Sequence, residues 1–187
     1  MAIAFKFLRI NYIYKTTEMK QLLLFFFVFT LAFPITAQDD AKSTTFYFIR
    51  HAEKDRSDPN NKNPHLTEEG KARAERWSQV LQNISFDRVY STEYNRTMQT
   101  ARPTASRHGI DVISMYDPRN LDGKAFIENN KGLTVLVVGH SNSTPLFVNA
   151  ILGSNKYAQI DENNNSNLYI VTVSAKGEVA SQLLYIN

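Results

Sequence analysis

Two short apolar runs, Thr45-Phe46-Tyr47-Phe48-Ile49 and Val135-Leu136-Val137-Val138, lie roughly ninety positions apart, and each stops at a histidine. Both are shorter than a buried helix and rich in aromatic or β-branched residues, so both read as strands. Arg50-His51-Ala52-Glu53-Lys54 follows the first run and Gly139-His140-Ser141-Asn142 the second. Apolar runs alternate with amphipathic segments along the rest of the chain, which predicts an α/β three-layer sandwich. Its central sheet is expected to be mostly parallel and flanked by helices, with a C-terminal β-hairpin. Ligands in open sheets of this kind collect beyond the carboxyl ends of the strands. If the two runs are parallel neighbours, His51 and His140 face one crevice.

The remaining elements are read from capping and periodicity. Thr44–Ile49 is the first strand, and Asp55–His65 is a polar loop. Thr67 is the expected N-cap of a helix with Glu68 and Glu69 in its first turn, and Gly70, Ala74, Trp77 and Leu81 share one face of it. Trp77 is therefore a packing residue. A second strand covers Asp87–Tyr90, and a helix follows it to about His108, where Gly109 stops it. A short strand at Val112–Met115, a helical turn at Ala125–Asn130, a strand at Thr134–Val138 and a helix at Asn142–Leu152 come next. An Asn-rich loop, Asn163–Asn167, leads to the final β runs, Leu168–Val173 and Glu178–Ile186, joined by Ala175-Lys176-Gly177.

The N-terminus reads differently. From Met19 the chain has Lys20, an apolar stretch Leu22–Phe33, then Pro34-Ile35-Thr36-Ala37 before Gln38, the layout of a cleavable signal peptide ending near Ala37. The apolar stretch is shorter than the about 20 residues of a membrane-spanning helix. Residues 1–37 are thus read as an N-terminal extension and signal peptide, with translation starting at Met19, and residues 38–187 as one domain. A secreted or periplasmic location is expected, with a retained membrane anchor as the alternative. Of the 21 Lys+Arg, four (Lys6, Arg9, Lys15, Lys20) precede Gln38, and of the 18 Asp+Glu only Glu18 does, which leaves 17 against 17. A neutral domain offers no electrostatic footprint for nucleic acid. The chain has no cysteine, which excludes disulfides, thiolate metal sites and a cysteine nucleophile.

Three motifs then fall in order, each at a strand-to-loop junction: Arg50-His51-Ala52-Glu53-Lys54, Tyr90-Ser91 with Arg96 and Thr100-Ala101, and Val138-Gly139-His140-Ser141. Together they resemble the histidine phosphatase superfamily, also called phosphoglycerate-mutase-like, in its small single-domain branch. A phosphoryl group in transfer spreads negative charge over its equatorial oxygens, so it needs fixed cations and an in-line nucleophile. Arg50 and Arg96 suit that clamp, since a guanidinium donates two parallel hydrogen bonds to a phosphate. Arg96 also lies on the first turn of its expected helix, where the N-terminus attracts anions. His51 is the expected nucleophile, neutral and steadied by a backbone carbonyl through its other nitrogen. His140 is the expected second phosphate ligand, and placed among the anion's oxygens its charged form is favoured, so that it acts as a donor. The resemblance implies these same roles.

The proton donor to the leaving group is less determined. The resemblance implies an acidic residue after the third core strand, where this chain lacks the usual glutamate pattern and has Asp117 in Tyr116-Asp117-Pro118 and Asp122 in Leu121-Asp122-Gly123. Asp117 is preferred because Asp122-Gly123 reads as a turn. Glu53, two residues from His51, is the third candidate. Lys54 reads either as a partner for a second anionic group of the substrate or as a solvated side chain. His65 and His108 read as structural, and four histidines without ligand spacing point to no metal and no cofactor.

The expected activity is that of an exported, metal-independent phosphomonoesterase. It acts on a small phosphorylated substrate, or on a phosphoprotein such as one carrying phosphohistidine, through a phosphohistidine intermediate on His51. The alternatives are a non-catalytic module of the same fold that binds a phosphorylated ligand, and a phosphoglycerate-mutase-type phosphotransferase.

Overall fold

The computed structural model describes residues 42–186; the extension and signal peptide read at 1–37 lie outside them. Strands β1 (Thr44–Arg50), β2 (Arg88–Ser91), β3 (Ser114–Met115), β4 (Thr134–Gly139), β5 (Asn167–Val173) and β6 (Val179–Tyr185) form one sheet in the order β3-β2-β4-β1-β5-β6. The first four run parallel, while β5 is antiparallel to β1, and β6 to β5. The two histidine-bearing strands are adjacent and parallel, in a register that pairs Arg50 with Gly139. His51 and His140 therefore leave neighbouring strands at the same level, and Ser91 beside Val138 brings the end of β2 to the same edge.

Helices α1 (Glu68–Val80), α2 (Asn95–Arg107), α3 (Gly123–Asn129) and α4 (Ser143–Leu152) cover both faces. Strand side chains alternate between faces, which splits the core in two. Phe46, Phe48, Val135 and Val137 pack with Phe147 and Val148 of α4. Ile49, Leu136 and Val138 pack on the other side with Trp77 of α1 and Ala101 and Ala105 of α2. The result is the expected three-layer sandwich ending in a β5-β6 hairpin.

Helix α1 starts as its sequence predicts: the Thr67 hydroxyl accepts from the Gly70 N–H at 3.0 Å, and Gly70, Ala74 and Trp77 are buried. Gly70 has a second task, because a Cβ there would overlap the Glu53 carbonyl. That close approach, with Thr67 N–H bonded to Glu53 O at 2.9 Å and Asp55 N–H to His65 O at 2.8 Å, clamps the segment after His51 against the start of α1. At Asp122-Gly123 the expected turn is a helix start instead. The Asp122 carboxylate caps α3 by accepting from Ala125 N–H at 3.0 Å, and Gly123 lets α3 approach the backbone of Ala150 in α4. The third strand is shorter than expected, two residues rather than four. Among the described residues no helix is long and apolar enough to cross a membrane.

Candidate active site

Arg50 is the last residue of β1 and, although charged, only 1% exposed. Its Nη1 donates to the carbonyls of Asp161 at 2.8 Å and Asn164 at 3.0 Å, and its Nη2 to Glu162 Oε2 at 2.9 Å. Three of the five guanidinium hydrogens are thereby used. Nε is buried with no protein partner.

His51 follows with its backbone N–H bonded to Gly139 O at 2.9 Å, a contact between the ends of β1 and β4. Its Nδ1 lies 2.7 Å from the Ala52 carbonyl. A carbonyl only accepts, so Nδ1 carries the hydrogen and Nε2 presents a lone pair. Burial, with His140, Arg50 and Arg96 adding to it, pushes the imidazole pKa down to about 3, against a smaller opposing effect of the Ala52 carbonyl. The ring is therefore neutral at physiological pH. Its carbonyl accepts from Asn165 Nδ2 at 2.7 Å, and Ala52 N–H is held by Thr100 Oγ1 at 2.9 Å. That second bond explains the Thr100 of the second motif.

His140 stands 5.5 Å from His51, centroid to centroid, with the rings inclined at 68°. Its approach depends on Gly139, where a Cβ would lie 2.6 Å from the Tyr116 hydroxyl and 2.7 Å from Thr144 Oγ1. A buried hydroxyl chain orients the ring. Thr97 Oγ1 bonds to the carbonyls of Thr92 and Tyr94 and so donates to carbonyl oxygen; it accepts from Thr92 Oγ1 at 2.9 Å, which in turn accepts from His140 Nε2 at 2.9 Å. This leaves a lone pair on Nδ1, 3.4 Å from Arg96 Nη2. Burial first, then Arg96, Lys54 and Arg50, push the His140 pKa down to about 4. In the protein's own field the ring is thus neutral, because desolvation and three cations oppose a fourth positive charge; the charge expected of it belongs to a ring among an anion's oxygens.

Arg96 lies in the first turn of α2, its guanidinium 4.3 Å above the Tyr94 ring centroid, and the Tyr94 ring also meets His140 edge-on at 5.1 Å. Nε and Nη1 of Arg96 are buried with no protein partner. Together with Nε of Arg50, three cationic nitrogens are buried without an acceptor on the two arginines whose charges act on both imidazoles. A buried donor left unpaired costs about 1–3 kcal/mol, and more when charged. An oxyanion is the natural group to satisfy all three.

The acids fall elsewhere than expected. Asp117, the preferred proton donor, lines a separate cavity of about 460 Å³ with Tyr94, Tyr116 and Arg119. Its carboxylate takes Arg119 Nε at 2.9 Å and Nη2 at 2.8 Å, and Arg119 N–H at 2.9 Å, which hold its pKa down at about 2. As placed, it is a carboxylate with no proton to give. Asp122 caps α3. Glu53 lines a cavity of about 240 Å³ together with Arg50, His51, Lys54, Arg73 and Glu162; its Oε1 is paired with Arg73 Nε at 2.6 Å, while its Oε2 is buried without a partner. Lys54, on the wall of the same cavity, makes no side-chain hydrogen bond or ion pair with the described residues, and burial followed by Arg96 and Arg56 lowers its pKa. A larger groove of about 1000 Å³ runs between α1 and α2, away from both histidines.

Sequence reading missed three contributors: the Asp161–Asn165 loop with Glu162, the hydroxyl pair Thr92 and Thr97, and Tyr94. The Asn-rich composition of the loop was visible as a turn signal, and nothing in it marked a partner for Arg50. Among the described residues no group of three or more His, Asp or Glu is arranged to hold a metal ion.

Residues 46–126 match the family described as Histidine phosphatase superfamily (branch 1). The match takes in Arg50, His51 and Arg96 and ends before His140. No curated protein sequence matches the chain. Among solved structures, the protein histidine phosphatase SixA complexed with tungstate is 16% identical with a TM-score of 0.61, over 75% of this chain and 96% of that one. A mycobacterial glucosyl-3-phosphoglycerate phosphatase is 13% identical with a TM-score of 0.60, over 78% and 99%. A phosphoserine phosphatase mutant from Entamoeba histolytica in complex with phosphoserine is 14% identical with a TM-score of 0.58, over 74% and 95%. At such identities the likeness is one of fold.

Proposed function

We propose that this chain, which has the fold of the histidine phosphatases and matches their superfamily over residues 46–126, hydrolyses phosphate monoesters through a phosphohistidine on His51. One observation carries the reading: Arg50 Nε, Arg96 Nε and Arg96 Nη1 are buried without acceptors around a neutral His51 whose Nε2 lone pair is free. A phosphate bound there presents its phosphorus to Nε2. The P–O bond to the alcohol breaks as the N–P bond forms, and water then attacks phosphorus, returning the electron pair to Nε2 and releasing inorganic phosphate. The charge that develops on the equatorial oxygens is met by guanidinium N–H groups, so the chemistry needs no metal.

An oxyanion changes the balance at His140. An anion that draws Arg96 Nη2 to itself releases the Nδ1 lone pair of His140, and the negative charge favours protonation there. A pKa of about 4 rises on binding, so the ring takes up a proton and becomes the second donor to the phosphate. Tungstate carries no proton near neutrality and is a clean probe. Calorimetry at pH 6 in buffers of different ionisation enthalpy should show proton uptake approaching one per tungstate. The uptake should vanish in His140→Ala, and a buffer-independent heat would refute the coupling.

The leaving group narrows the substrate. Asp117 is held ionised by Arg119 and Asp122 caps a helix, while Glu53 is paired with Arg73 through Oε1 alone and keeps a buried Oε2 without a partner on the cavity of His51, so groups that depart with little protonation are the favoured substrates and Glu53 is the acid best placed to assist any other. Aryl esters fit, and so does a phosphohistidine on a protein surface. The wild type should cleave a nitrophenyl phosphate at least a hundredfold faster than an alkyl phosphate. Asp117→Asn should change neither rate by more than about twofold. A selective loss of alkyl ester cleavage in Asp117→Asn would restore Asp117 as the acid. Cleavage of neither ester by a wild type that binds tungstate would favour the second reading, a phosphate-binding module, for which the paired state of Asp117 is the supporting observation. Export by the signal peptide ending near Ala37 is part of the same proposal and fits a hydrolase that needs no intracellular cofactor.

A further inference from the structure

We propose that Glu162 is a positioning residue for this reaction, which locks Arg50 beside His51 and, as a carboxylate on the phosphate-binding guanidinium, keeps the site from holding phosphate too tightly. The proposal rests on the reading of the site given above. Glu162 lies in the loop between α4 and β5, and its side chain is half exposed, yet both of its oxygens are engaged. Oε2 accepts from Arg50 Nη2 at 2.9 Å and from Arg56 Nη2 at 3.3 Å, and Oε1 accepts from Ser141 Oγ at 2.5 Å.

Those contacts join three separate segments. Arg50 belongs to the end of β1, Ser141 follows His140 beyond β4, and the loop is tied to both, since Ile160 N–H bonds to Ser141 O at 2.9 Å and Asn165 Nδ2 to His51 O at 2.7 Å. With Nη1 spent on two carbonyls and Nη2 shared with Glu162, the guanidinium plane cannot turn. The hydrogens left for an oxyanion are Nε–H and one on Nη2, the spacing of a bidentate fork.

The same carboxylate opposes the ligand. Arg50, Lys54 and Arg56 line the cavity over His51, and Arg96 adds its charge from the α2 side. Arg73 lines the same wall, and without Glu162 only Glu53 and Glu69 would stand against these cations, an excess of positive charge that would bind inorganic phosphate strongly and make product release limit turnover. Glu162, on the guanidinium that must meet the phosphate, weakens the ground-state complex electrostatically while holding the geometry that the transition state requires.

Glu162→Gln keeps the shape and removes the charge. It should bind tungstate about tenfold tighter than the wild type, with KM falling and kcat on nitrophenyl phosphate falling about tenfold as well. Glu162→Asp keeps the charge without the reach to both Arg50 and Ser141, so tungstate affinity should return to within about twofold of wild type while kcat stays low. A purely structural role would raise KM and lower kcat together in both variants, and that result would overturn the proposal. Unchanged or weaker tungstate binding by Glu162→Gln would overturn it too. If Glu162→Gln does not fold, the Asp variant decides alone, and wild-type kcat there refutes the positioning role. A wild type that binds no tungstate would strike down the phosphate-site reading itself.

Discussion

His51→Ala should abolish turnover, by at least the four to six orders of magnitude that separate a nucleophilic enzyme from residual binding effects. The ring is placed for one task. Its Nδ1–H is tied to the Ala52 carbonyl at 2.7 Å, its backbone is anchored to β4, and its pKa of about 3 leaves Nε2 unprotonated. No other described side chain near the unpartnered arginine donors combines burial, neutrality and a free lone pair in this way, since the Nδ1 lone pair of His140 already faces Arg96. Wild-type protein quenched during turnover of a labelled aryl phosphate should carry phosphate that survives base and is lost in acid, the behaviour of a phosphoramidate. Label on a serine or threonine, or substantial activity in the variant, would reject the mechanism. The sign of the pH dependence also follows. With a pKa of about 3, nucleophile protonation removes activity only in strong acid, so any loss between pH 5 and 8 must come from another group, His140 or the substrate phosphate among them.

Removing either arginine should cost several kcal/mol of transition-state stabilisation, about a hundred- to a thousandfold in kcat. The two should differ in what rescues them. Arg50 spends three donors on protein acceptors and keeps Nε–H and one Nη2 hydrogen for the phosphate. A lysine has three hydrogens in all, and the carbonyls of Asp161 and Asn164 with Glu162 would take every one. Arg50→Lys should therefore be nearly as damaging as Arg50→Ala. Among the described residues the Arg96 guanidinium makes one hydrogen bond, Nη2 to His140, and lies over Tyr94 as a cation on an aromatic face, which an ammonium also tolerates. Arg96→Lys should recover at least tenfold over Arg96→Ala, measured as kcat on nitrophenyl phosphate with melting temperature as the control for folding. Equal rescue at both positions would show that the loop contacts of Arg50 are incidental.

The sites most legible from residues alone were those whose chemistry sits next to a strand end. A run such as Val135–Val138 has one environment open to it, the buried centre of a sheet, and the residue after it must emerge at the carboxyl edge. His51, His140, Arg50 and Arg96 could be named because each follows a strand or opens a helix. Thr67 capped α1 and Gly109 closed α2 for equally local reasons: a side-chain oxygen reaching a nearby N–H, and a glycine free to adopt a φ of 66°. Asp122 shows the limit of such reasoning. Its Asp-Gly pair reads equally as a turn or a cap, and only the approach of α4 to Gly123 selects the helix.

Sequence by itself determined the alternation of strands and helices, a histidine at the end of each of two strands and the arginines that accompany them, because these depend on spacing within a few residues. Tertiary structure alone decided that β1 and β4 are neighbours in register, that Glu162 bonds to Arg50 across 112 positions, and that Asp117 lies paired with Arg119 in a cavity apart from the one over His51. It also decided the protonation of both histidines, since burial is set by everything packed around a ring and not by the residues beside it in the chain. The physical reason is one of range. Hydrogen-bond patterns within a turn of helix or a strand end are written locally, whereas ion pairs and desolvation are settled when distant segments meet.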